Sequence, residues 1–316
     1  MRECRADQFG LDERMTSTPV SRRALLAAAF VIPLAGCAAV VEAKPTVTPK
    51  PTPLPSQNAD GDFAALEAQY GARLGVFAID PRTNWTVEYR ADERFAFCST
   101  FKALAAAAVL ARRSIAELDE LIPYSYEDLV SHSPVTEQNI ETGMTIRALC
   151  DAAVRYSDNT AGNLLLADLG GPVGLTSILR EQGDQITQLD RTETDLNSAV
   201  PGDPRDTSSP RALAESLSRY AIGDALPGEK RDILNGWLNA NTTGDTLIRA
   251  ALPQGWSAGD KTGAGAYGTR NDIAIVYPPA GGPISIAILS TKADPDAEYD
   301  DALIADAARI VLKAAS

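Results

Sequence analysis

Ser99 and Lys102 stand three residues apart in Ser99-Thr100-Phe101-Lys102. If a helix starts near Ser99, that spacing puts the amine one turn from the hydroxyl, on the same face. A serine hydroxyl is a weak nucleophile and needs an adjacent base. The first turn of a helix also offers unpaired N–H groups that can hold an oxyanion. The pair has the parts for acyl transfer. Alone it is a weak signal, because S-x-x-K arises about once by chance in a chain of average composition and this length. Two further segments change the weighing. Ser157-Asp158-Asn159 opens a helical run, where Ser157 or Asp158 could equally be a cap. Lys261-Thr262-Gly263 lies on a late strand, where the lysine could equally be a solvated side chain. The three in this order and at these distances fall together by chance in far fewer than about one in a thousand chains.

Other chemistries find less support. His132 is the single histidine, which excludes sites built on two imidazoles, HExxH zinc sites among them. No cluster of metal ligands stands out, so neither metal nor cofactor is expected. Gly263-Ala264-Gly265-Ala266-Tyr267-Gly268 matches G-x-G-x-x-G. The residues that follow are strand-like rather than helical, so a dinucleotide fingerprint is rejected. The 316 residues carry 29 basic and 42 acidic side chains, a formal charge of −13. Such acidity argues against nucleic acid and against a polybasic membrane face.

The elements that must position these residues follow a strand–helix–strand order. Helical patterning covers 62–69, then strand patterning covers 74–79 and 85–89, joined by turn residues 80–84. An alanine-rich run over 99–113 reads as one helix, followed by helical segments at 146–155, 161–169, 173–182, 210–220 and 230–239. Strands return at 257–261, 271–277 and 283–290, and an amphipathic helix over 299–314 closes the chain. This order predicts an α+β fold. One antiparallel sheet with flanking helices is built from both chain ends, 59–95 and 243–316, with an all-α domain, 96–242, inserted between. A crevice at such a junction favours a ligand site. Residues 184–209 lack periodicity, and a loop that long is usually functional.

The N-terminus reads as a processing segment. Arg22 and Arg23 precede the apolar stretch 24–36, which resembles a twin-arginine signal peptide over residues 1–36. Leu34-Ala35-Gly36-Cys37 resembles a lipobox, with Cys37 as the lipidated residue; a plainly cleaved signal is the alternative. Met1 and Met15 are both candidate starts. Residues 37–58 form a proline-rich spacer, holding Pro45, Pro49, Pro51, Pro53 and Pro55, that favours extended polyproline II. An exported, monomeric globular domain, lipid-anchored to the cell envelope or secreted, is the expectation. Within the folded region only Cys98 and Cys150 remain, and buried free thiols are the expected state.

The three motifs together are those of class A β-lactamases and penicillin-binding proteins. Over nearly all of 60–316 the chain resembles a class A serine β-lactamase, of the exported actinobacterial kind. Glu193-Thr194-Asp195-Leu196-Asn197 looks like that family's E-x-x-L-N segment, which penicillin-binding proteins lack. The resemblance implies hydrolysis of penicillins and cephalosporins through an acyl-serine, and hence β-lactam resistance. It implies that Ser99 attacks, with Lys102 and a water on Glu193 as rival bases. Ser157 would pass a proton to the leaving nitrogen, and Glu193 with Asn197 would hold the hydrolytic water. Asn159 would contact the acylamide side chain, with His132 at the cleft edge. The N–H groups of Ser99 and Ala264 would hold the oxyanion. Lys261, Thr262 and Arg270, along the Gly263 strand, would bind the substrate carboxylate. Arg191 and Asp206 would close the loop as an ion pair, and inhibitors such as clavulanate would act on the same serine. Thr194 departs from a frequent proline, leaving the loop conformation open. Ala106 and Gly265 stand where relatives carry the bridging partners of Cys150 and Cys98, so no disulfide is implied. Two other readings stay open at this point: a penicillin-binding enzyme that acylates without turnover, and a non-catalytic binding module.

Overall fold

A computed structural model describes residues 59–315. The expected signal segment 1–36, the spacer 37–58 and Cys37 lie outside the described residues. Helix α1 (Asp60–Tyr70) ends at Gly71, whose φ of 58° is the left-handed conformation that glycine adopts without strain. Strands β1 (Arg73–Asp80) and β2 (Trp85–Tyr89) follow, then the short β3 (Phe95–Ala96). A single 3-10 turn, Cys98–Thr100, leads into α2 (Phe101–Arg112). Two short strands, β4 (Leu121–Ile122) and β5 (Met144–Thr145), precede α3 (Ile146–Arg155), α4 (Asn159–Asp168) and α5 (Gly171–Glu181). The long loop ends in β6 (Thr207–Ser208), followed by α6 (Pro210–Ala221) and α7 (Gly228–Asn239). Strands β7 (Ser257–Gly265), β8 (Thr269–Tyr277) and β9 (Ile284–Thr291) and helix α8 (Asp301–Ala314) complete the order.

The main sheet is antiparallel, in the order β2-β1-β9-β8-β7, so strands from both chain ends share it, as the segment order predicts. Both of its faces are covered. On β8, Ile273 and Ile275 enter the core shared with the central helices. The alternate residues Ala274 and Val276 enter a second core under α1 and α8. Burial on both sides explains why β8 and β9 read as apolar runs rather than as alternation. Helix α2 is buried at every position from Phe101 to Leu110, and its alanines let α3, α4, α6 and α7 pack against it.

The glycine-rich run 263–268 occupies the end of β7 and the turn into β8. Thr269 N donates to Ala266 O, and Tyr267 and Gly268 both have positive φ, which makes a type I′ turn. Strand β7 is the open edge of the sheet, and that edge borders the turn carrying Ser99. A Cβ on Gly263 would come within 2.8 Å of Phe97 O, so the close approach requires glycine there. Strands β3 and β6 pair, tying the segment that enters Ser99 to the end of the long loop.

Buried Asn271 on β8 fastens this junction. Its amide donates to Ala96 O at 2.9 Å and to Phe97 O at 3.0 Å. Asn271→Ala removes both bonds, and although Phe97 O keeps Thr100 as a donor, Ala96 O loses this partner; the change is expected to destabilise the protein by about 1–3 kcal/mol. Calorimetry should show Tm falling by several degrees. An unchanged Tm would show that the junction is held elsewhere.

Candidate active site

The candidate nucleophile sits in a different local structure from the one its spacing suggests. Ser99 lies in the 3-10 turn before α2, not in the helix itself. The cause is Cys98, whose φ of 48° breaks the helical path one residue earlier. The functional spacing survives, because Lys102 lies in the first turn of α2 and its Nζ donates to Ser99 Oγ at 2.9 Å. Lys102 is completely buried, and Gly162 of α4 leaves room for its stem; a Cβ there would meet Cε at 2.8 Å.

Four oxygens surround that ammonium. Besides Ser99 Oγ they are Ser157 O at 2.9 Å, Asn159 Oδ1 at 2.5 Å and Glu193 Oε1 at 2.8 Å. Burial pushes the Lys102 pKa down, and the charge of Glu193 opposes that shift. Ser99 Oγ in turn donates to Glu193 Oε1 at 3.0 Å. Lysine, serine and glutamate thus form one hydrogen-bonded line along which a proton can move.

Ser157 and Asn159 are set at the start of α4 by their neighbour. Asp158 is the N-cap, its carboxylate accepting from Ala161 N. The same carboxylate accepts from Val135 N, Thr136 N and Thr136 Oγ1, pinning the 130s loop to the helix. His132 is exposed at this junction; its carbonyl accepts from Asn159 N and its ring faces Tyr156 O at 3.2 Å. Ser157 Oγ accepts from Lys261 Nζ at 3.0 Å.

The long loop brings Glu193 in from the other side. Asn197 Nδ2 donates to Glu193 Oε2 at 2.5 Å, while Asn197 Oδ1 is buried with no hydrogen-bond partner among the described residues. The Glu193–Thr194 peptide is cis. Arg191 Nε donates to Asp206 Oδ2 at 2.6 Å, and Asp206 Oδ1 accepts from Asp190 N and Arg191 N.

On β7, Lys261 is wholly buried and also donates to Thr262 O. Thr262 Oγ1 lies 2.6 Å from Thr243 Oγ1. Ala264 pairs with Arg270 across β7 and β8. Arg270 donates to Asp301 Oδ1 at 2.6 Å, and the ring of Tyr299 lies 4.6 Å from its guanidinium. Behind Lys261, Asp260 and Asp272 are buried side by side. Burial raises both pKa values, and the charge of Asp260 raises Asp272 further. Arg249 Nε approaches Asp260 Oδ1 to 2.5 Å as an ion pair lying off the hydrogen-bond line.

The model of the β-lactamase enzyme family matches residues 58–315. The chain belongs to that family. A β-lactamase of Bacillus amyloliquefaciens is 56% identical over 250 residues, covering 79% of this chain and 82% of the relative. One from Nocardia asteroides is 53% identical over 300 residues, covering 93% and 96%. The crystal structure of a class A β-lactamase from Clostridium kluyveri superposes with a TM-score of 0.80 at 52% identity, covering 81% of this chain and 97% of that one. The enzyme is a hydrolase that opens β-lactams through an acyl-serine, the chemistry of class A, and so confers β-lactam resistance.

Cys98 and Cys150 are buried free thiols in this β-lactamase. A Cβ at Gly265 would approach Cys98 Sγ to 2.8 Å. The G-x-S-x-G spacing of a nucleophile elbow, expected to be absent from the sequence, does occur at Gly255-Trp256-Ser257-Ala258-Gly259. Ser257 is exposed and opens an edge strand without the strand–turn–helix setting, so it is no elbow.

The sequence reading also missed Asn163. Its amide accepts from Glu193 N at 2.8 Å and donates to Glu193 O at 2.9 Å. The signal was there: Asn163 follows Asn159 by four residues, so both lie on one face of α4. One asparagine holds Lys102, the other the backbone of Glu193. Asn163→Leu removes two hydrogen bonds worth about 1 kcal/mol each. Steady-state kcat is expected to fall roughly tenfold or more, with burst kinetics showing acylation largely kept. An unaltered kcat would show that the loop holds Glu193 unaided.

Proposed function

We propose that Ser99 Oγ attacks the lactam carbonyl carbon of penicillins and cephalosporins, and that the Lys102–Glu193 pair takes its proton. The observation that carries this reading is the unbroken line Lys102–Ser99–Glu193, each link 3.0 Å or shorter. The backbone N–H groups of Ser99 and of Ala264 on the facing edge strand hold the oxyanion. Ser157 Oγ accepts from Lys261, which leaves its own proton free for the departing nitrogen. The acyl-enzyme is then cleaved by a water that Glu193 activates and Asn197 orients. The unpartnered Asn197 Oδ1 supports that task. Asn159 and His132 contact the acylamide side, while Lys261, Thr262 and Arg270 receive the carboxylate. Clavulanate-type inhibitors acylate the same serine. The twin-arginine-like segment, Cys37 and the spacer support an exported monomer, lipid-anchored to the cell envelope or released.

Glu193→Ala tests the assignment. Intact-mass spectrometry with benzylpenicillin should show an adduct on Ser99 that persists in the variant and decays in the parent. Parent-like turnover in the variant would remove Glu193 from deacylation.

Lys261 gives a pH test. Burial and the nearby charge of Lys102 push its pKa down to about 7. The cation that binds carboxylate exists below that value and is lost as pH rises through it. KM is therefore expected to rise above pH about 7, and Lys261→Arg should flatten the rise, since guanidinium stays charged. A parent KM that is flat from about pH 6 to about pH 9 would show that other groups carry the anion.

A further inference from the structure

A sizeable cavity lies apart from the cleft. It has a volume of about 750 Å³, and none of Ser99, Lys102, Ser157, Glu193 or Lys261 lines it. That size falls within the range of small-molecule sites. One wall is the loop segment 199–205; the others come from the end of α1, the start of β1, the segment around β3 and the end of β9.

Its charge is opposite to that of the whole chain. Arg73, Arg90, Arg94, Arg205 and Lys292 line it, against Glu67 and Asp203 only, in a protein of formal charge −13. Most of these cations already have acids: Arg73 with Glu93, Arg90 with Glu67, Arg205 with Asp203 and Lys292 with Asp300. Arg94 does not. Its Nη1 donates to Thr207 Oγ1 at 3.0 Å and to Thr207 O at 3.4 Å, and it has no carboxylate partner among the described residues. Beside it the loop wall presents Val200, 45% exposed, flanked by Pro201 and Pro204. A fork of N–H donors without an anion, next to exposed apolar surface in a concave site, fits a ligand with an acidic end and an apolar body.

We propose that this pocket is a second ligand site, taking a small soluble anion with an apolar body, such as an aromatic carboxylate or sulfonate, with Arg94 as the anion contact. Such a ligand would press on the wall that connects Asn197 to Asp206 and on the strand that leads into Ser99.

The probe is 8-anilinonaphthalene-1-sulfonate, titrated by calorimetry and fluorescence into the enzyme. One-to-one binding is expected, and it should survive acylation of Ser99 by clavulanate. Arg94→Glu should weaken binding about tenfold or more, with Arg94→Lys recovering part of the loss. Val200→Asp should weaken it independently. Both positions are exposed, and an unchanged Tm verifies that each variant is folded. Absence of saturable binding overturns the proposal. So does equal affinity in Arg94→Glu and Val200→Asp, or loss of binding once Ser99 is blocked.

Discussion

An ammonium and a carboxylate buried side by side, Lys102 and Glu193, impose the constraint on which the rest of the site depends. Neither side chain has exposed surface, and they lie 2.8 Å apart. Removing each charge from water costs several kcal/mol, and their mutual attraction repays this only when the remaining donors and acceptors are matched. The match is supplied by separate parts of the chain. Ser99 comes from the 3-10 turn, Ser157 O and Asn159 Oδ1 from the start of α4, and Glu193 from the long loop. The charges are compensated only when all of these arrive together. Folding the site and assembling its catalytic line are therefore one event.

The loop can deliver Glu193 because other contacts fix its backbone. Asn163 takes both the N–H and the carbonyl of Glu193, and Asp206 collects two backbone donors and a guanidinium near the far end. A carboxylate held through its backbone can release its proton partners without moving. The role proposed for Glu193, exchanging protons with both a serine and a water, needs that property.

Much of this was legible in the chain. Periodicity located α3 and β2 to the residue, because each has a strongly patterned apolar face. The spacing of Ser99 and Lys102 predicted their contact even though the helix starts later than expected. What the sequence concealed was local. The left-handed Cys98 that shifts the helix start has no signature, since any residue there must accept that conformation. The pairs β3–β6 and β4–β5 are two residues long, too short for alternation to register. The turn of Arg270 toward Asp301 and Tyr299 depends on a helix thirty residues on, which no local pattern reports.

The two buried lysines expose a further asymmetry. Lys102 has Glu193 against it, whereas Lys261 has no carboxylate in direct contact. Behind it lie Asp260 and Asp272, whose carboxyl pKa values burial raises, and Arg249 pairs with Asp260. Ser157 joins the lysines, giving its carbonyl to one and its hydroxyl to the other. The Lys102 amine is thus held against a carboxylate and the Lys261 amine is not, a difference that burial magnifies. In the proposed mechanism an incoming carboxylate supplies the counter-charge there. Such an anion would also strengthen the hold on the Lys261 proton, and with it the polarisation of the Ser157 hydroxyl that Lys261 contacts. The roles proposed for Lys261 and Ser157, anion binding and proton donation, would then both follow from the same missing counter-charge.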